Sequence, residues 1–116
     1  MSRDRQYSRT MSSDSALLVL ITCPPEAADG LASALVEARL AACVNLLPGL
    51  RSVYRWNDAV ERADETLLIA KTTVAGYAAL EAGVRARHPY ELPEVVAVDI
   101  AAGLPAYLEW LASAVR

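Results

Sequence analysis

The chain predicts an α+β fold in the order β-α-β-β-α-β with one further helix at its end, and three observations predict it. Short runs of β-type apolar residues alternate with segments whose apolar residues recur every three to four positions. Two of the runs meet at Asn57-Asp58, a pair that tolerates the positive φ of a tight hairpin. The 116 residues, 54% apolar and 22% charged, suffice for one packed core and are too few for two ordinary domains.

Residues 1–14 (MSRDRQYSRTMSSD) are polar and have no apolar period, so they are expected to form a disordered N-terminal tail ahead of a domain over 15–116. Ala16–Thr22 (ALLVLIT) is a continuous apolar run, expected as a central strand buried on both faces. Cys23-Pro24-Pro25 ends it, and Pro25 suits the first turn of a helix, where its missing N–H costs nothing. Over Glu26–Leu40, Ala27, Leu31, Ala34, Leu35 and Ala38 form one apolar stripe opposite Asp29, Ser33, Glu37 and Arg39, which predicts an amphipathic helix.

Ala41–Leu47 reads as a second strand, interrupted by Pro48-Gly49 and resumed over Leu50–Trp56. The return limb runs from Ala59 to Thr72, strongest at Thr66–Ala70. Thr72 or Thr73 is the expected cap of a helix over Val74–Arg87, with Tyr77, Leu80 and Val84 on one face. That helix must stop at His88, because the residue before Pro89 avoids the α region. A last strand is expected over Glu94–Ile100, and a last helix over Leu104–Val115 with Pro105 at its start. The order is the split βαβ, ferredoxin-like arrangement.

Composition excludes several functions. The net charge is −3, and Lys and Arg cluster nowhere beyond the extreme N-terminus, so a nucleic-acid partner is not expected. The five glycines are isolated and match no phosphate-binding loop. No apolar run is long enough to span a membrane and no signal-type start is present; with only two cysteines, a cytoplasmic location with reduced thiols is expected.

Few residues carry chemistry. Cys23 leaves a strand just ahead of a helix start, where backbone N–H groups and the helix dipole are expected to lower a thiol's pKa. His88 is the one histidine and ends a helix close to Glu91 and Glu94. Thiolate and imidazole are ligands for copper or zinc, so Cys23 and His88 are the candidate metal residues. The same side chains commonly serve as a buried apolar residue and a helix-end hydrogen-bonding residue. Cys43, amid Ala41, Ala42 and Val44, reads as a strand residue. Lys71 is expected to pair with Glu61, Asp64 or Glu65 on the same limb, or to hold an anion.

Six segments in order, VLITCPPEAA, EARLAACVNLLPG, SVYRW, LLIAKTT, RHPYELPEVVAVDI and YLEWL, resemble the CutA family of divalent-ion tolerance proteins over residues 16–116. The resemblance implies a ferredoxin-like protomer in a homotrimer like that of the PII signalling proteins, with no enzymatic activity. It also implies copper or another divalent cation bound at Cys23 and His88. Some family members have a second histidine where this chain has Arg87, a poor ligand, and glycine is usual at the hairpin where it has Asp58. The alternative it implies is a small-molecule effector or signalling trimer with incidental metal binding, its clefts lined by Lys71, Glu65, His88, Tyr90, Glu94 and Trp110. A thiol enzyme on Cys23 with His88 as base is a third reading, and no oxyanion-hole pattern accompanies it.

Overall fold

The structure, a computed structural model, describes residues 14–116; residues 1–13 of the expected tail lie outside the described residues. Strand β1 (Ala16–Cys23) lies between β3 (Ala59–Thr73) and β4 (Val95–Asp99), and β2 (Cys43–Trp56) is the far edge beside β3. All three pairings are antiparallel, in the order β2-β3-β1-β4. Helix α1 (Pro25–Glu37) connects β1 to β2, α2 (Tyr77–Arg87) connects β3 to β4, and α3 (Pro105–Ala114) closes the chain. This is the ferredoxin-like order that the sequence predicts.

Alternation along β1 decides what the helices cover. Leu17, Val19, Ile21 and Cys23 are buried with Leu31 and Leu35 of α1, Leu80 and Val84 of α2, and Leu68 and Ala70 of β3. The opposite face is open in the protomer, which corrects the expectation that β1 is buried on both sides. Register places Leu18, Leu20, Ile69, Leu67, Val96 and Val98 together there, and Val96 and Val98 are about half exposed. A smaller cluster of Ala16, Ala42 and Leu111 seats α3 at the end of the sheet. Truncating fully buried Leu111 to Ala would cost about 2–5 kcal/mol and loosen that helix.

Several boundaries differ from the sequence reading, each for a local reason. α1 stops at Glu37, because Arg39 takes φ 61° and turns the chain towards β2, which starts at Cys43. The Arg39 guanidinium then donates to the carbonyls of Ser113 (3.0 Å) and Ala114 (3.3 Å), groups that the end of α3 leaves without helical partners. α2 starts at Tyr77 behind Gly76, whose N–H donates to Thr73 Oγ1 at 3.0 Å, so Thr73 holds the preceding turn and does not cap the helix.

Pro48-Gly49 does not interrupt β2. Gly49 takes φ 87°, and the register slips by one residue between Leu47, opposite Leu67, and Leu50, opposite Glu65. The bulge sets Leu50, Ser52, Tyr54 and Trp56 on the same face as Glu65. Asn57 and Asp58 both have positive φ, 51° and 63°, and close the hairpin as expected, Asp58 included.

Candidate functional site

The loop from His88 to Glu94 folds back over the end of the open sheet face. His88 ends α2 in an extended conformation (φ −78°, ψ 139°), and its ring turns inward until the residue is only 8% exposed. There Nε2 lies 2.7 Å from the Thr22 carbonyl, and Nδ1 accepts the Tyr90 N–H at 3.1 Å. A carbonyl only accepts and an N–H only donates, so the two contacts specify the Nε2–H tautomer and use both ring nitrogens.

Tyr90 carries the connection onward. Its ring packs 4.8 Å from the imidazole, and its hydroxyl donates to Glu65 Oε2 at 2.8 Å. Ser52 donates to the other oxygen, Oε1, at 2.6 Å. Glu65 is 5% exposed, a carboxylate buried between two hydroxyl donors from β2 and the loop. Burial and the Glu65 carboxylate raise the Tyr90 phenol far above its ordinary value. Among the described residues no buried side-chain polar atom lacks a hydrogen-bond partner.

Above this network lies a cleft of about 730 Å³ lined by β2 residues 52–56, Thr22, Glu65 and the loop residues 89–92 and Glu94. The volume is that of a small-molecule site. Of the six residues that the resemblance assigns to the clefts of a trimer, Glu65, Tyr90 and Glu94 line this cleft of the protomer, His88 lies beneath it, and Lys71 and Trp110 lie outside its lining. Lys71 Nζ contacts Asn45 Oδ1 and lies 3.8 Å from Cys43 Sγ; it pairs with none of Glu61, Asp64 and Glu65.

Ser52, Tyr54 and Trp56 are site residues that the sequence reading does not single out, because the bulge decides which way they face. A signal for Glu65 was present. It occupies the alternation position of Leu67 and Ile69, and an acid in an apolar series asks for a partner.

Cys23 is fully buried in the core, immediately after Thr22. Burial raises its thiol pKa, and the carboxylates of Glu65 and Glu26 push the same way, so the expected lowering by the helix dipole is corrected. As folded, the Cys23 thiol lies in the core and both imidazole nitrogens of His88 are engaged. No three His, Cys, Asp or Glu among the described residues group closely enough to hold a metal ion. No helix among them is long and apolar enough to cross a membrane.

The chain resembles known proteins along most of its length. It is 53% identical over 95 residues, 81% of this chain and 92% of the relative, to the divalent-cation tolerance protein CutA of Thermus thermophilus. It is 42% identical over 115 residues to the chloroplastic protein CutA of Arabidopsis thaliana, covering 98% of this chain and 62% of that longer protein. The solved structure of the Thermus thermophilus protein superposes with a TM-score of 0.85 at 49% identity, covering 87% of this chain and 99% of that one. The PII-like protein CutA from Nostoc superposes with a TM-score of 0.82 at 33% identity, covering 86% and 97%. The family model described as CutA1 divalent ion tolerance protein matches residues 17–114, so this chain belongs to that family.

Proposed function

We propose that this chain serves divalent-cation tolerance as a homotrimeric, PII-like binding scaffold in the cytoplasm, working through the cleft over Tyr90 and catalysing no reaction. The observation that carries the reading is the buried Glu65 carboxylate, held by Ser52 and Tyr90 at the floor of a cleft of small-molecule size. Occupancy above Tyr90 would be felt by β2, β3 and the loop at once, which is what a signalling site needs. The absence of a reaction rests on Cys23, a buried thiol with a raised pKa, and on His88, with no ring nitrogen free to act as a base. The trimer is supported by the open apolar sheet face, since exposed patches of that kind mark association surfaces.

Copper or another divalent cation at Cys23 and His88 is the second reading. One observation favours it: the imidazole rests on the Thr22 carbonyl, so both side chains sit at the same end of β1. It requires the 88–94 loop to release the ring. Light scattering tests the trimer, with a mass of three chains expected and a monomer overturning it. Copper titrated into wild type and H88A separates the two site readings: equal affinity removes the metal pair, and loss of binding in H88A alone establishes it.

A further inference from the structure

The charged and aromatic groups around the cleft specify what kind of molecule it takes, an inference that rests on the cleft being the working site. Tyr54, Trp56 and Tyr90 present rings that are 44%, 40% and 38% exposed. Three carboxylates, Glu65, Glu91 and Glu94, line the same space, and among the described residues Arg55 is the one lining cation. Arg55 shares the register side of Arg51 and Val53, opposite to that of Ser52, Tyr54 and Glu65.

Glu65 gives this set its direction. Its two hydroxyl partners are neutral, and among the described residues no cationic side chain is bonded to it. A metal ion does not match the arrangement, because no three acids among the described residues draw together into a cluster. Carboxylates spread among aromatic rings suit a larger cation, whose charge is met by acids and ring faces while its apolar body is covered.

We infer that the cleft between the β2 hairpin limb and the 88–94 loop binds an organic cation, a protonated amine carried on an apolar or aromatic body. An amine of this kind sits against Tyr54, Trp56 and Tyr90 with its nitrogen towards Glu94 and Glu65. A neutral analogue of the same shape lacks the charge term, and an anionic one is repelled.

The test is a series of one shape and three charges, 3-phenylpropylamine, 3-phenylpropan-1-ol and 3-phenylpropanoate, titrated into the full chain at neutral pH. Calorimetry gives affinity, and the Trp56 indole N–H resonance reports the cleft. The amine is expected to bind at least about tenfold more tightly than the alcohol, with the propanoate weakest. Glu94→Gln, at an exposed position outside the Ser52–Glu65–Tyr90 hydrogen bonds, is expected to remove most of the amine's preference over the alcohol. Equal or tighter binding of the alcohol or propanoate, with Trp56 shifted, overturns the cation assignment and leaves the cleft reading standing. A Trp56 resonance that none of the three moves overturns the cleft reading, and this inference with it.

Discussion

The Tyr90 hydroxyl donates to Glu65 across 25 residues of sequence, and that one bond fastens the loop after α2 to the third strand. Tyr90→Phe keeps the ring and deletes the bond, leaving one oxygen of a buried carboxylate without its donor. Chemical denaturation is expected to show a loss of about 1.5–3 kcal/mol, the usual range for a hydrogen bond to a charged group. A double-mutant cycle with Ser52→Ala should give less than additive losses, because both hydroxyls serve Glu65.

The same phenol predicts an alkaline limit. Its pKa is raised in the folded protein, so the fold binds the proton more tightly than the unfolded chain does. The stability this contributes is complete below about pH 10, the ordinary tyrosine value, and is lost as pH rises from there through the raised folded value. Thermal melts of wild type should fall more steeply above pH 10 than those of Tyr90→Phe, and parallel curves would contradict the assignment.

His88→Ala removes a ring that joins Thr22 to Tyr90 and leaves a polar hole beneath the loop. A loss of about 2–3 kcal/mol is expected, together with faster hydrogen exchange at the Tyr90 amide. Unchanged exchange there would mean that the loop is held by other contacts.

Thiol chemistry should separate the two cysteines. Cys23 is buried with a raised pKa, whereas Cys43 is partly accessible. Mass spectrometry after brief alkylation of native protein at neutral pH should find the label on Cys43, with Cys23 labelled only after unfolding. Rapid native labelling of Cys23 would contradict its place in the core.

A charge on the open sheet face tests assembly. Val96→Glu adds a carboxylate to a half-exposed position beside Leu20 without touching the helix-covered core. Light scattering should show a shift towards monomer with the protomer's circular dichroism retained; an unchanged mass would place the contact elsewhere.

The elements were legible in the sequence because their causes are local. Helical spacing in α1, the prolines at helix starts and the Asn57-Asp58 turn each act within a few residues. What was not legible depends on distant pairings. His88 reads as a free ligand until the fold brings it to the Thr22 carbonyl, 66 residues away. Lys71 reads as the partner of nearby acids until register sets it beside Cys43 and Asn45. β1 reads as doubly covered because an apolar run looks the same whether helices or a second surface meet its far side.

The bulge at Pro48-Gly49 stores the polarity of the cleft in a count of residues. The bulge sets two residues, Pro48 and Gly49, opposite one, Thr66, and if the same residues were paired without it the alternation of everything up to the hairpin tip would be reversed. Arg51, Val53 and Arg55 would then stand over Glu65 in place of Ser52, Tyr54 and Trp56. Two guanidiniums and a valine would replace a hydroxyl and two rings beside the same three carboxylates, with no side chain substituted. The bulge, more than any one lining residue, therefore decides which side chains of β2 face the cleft.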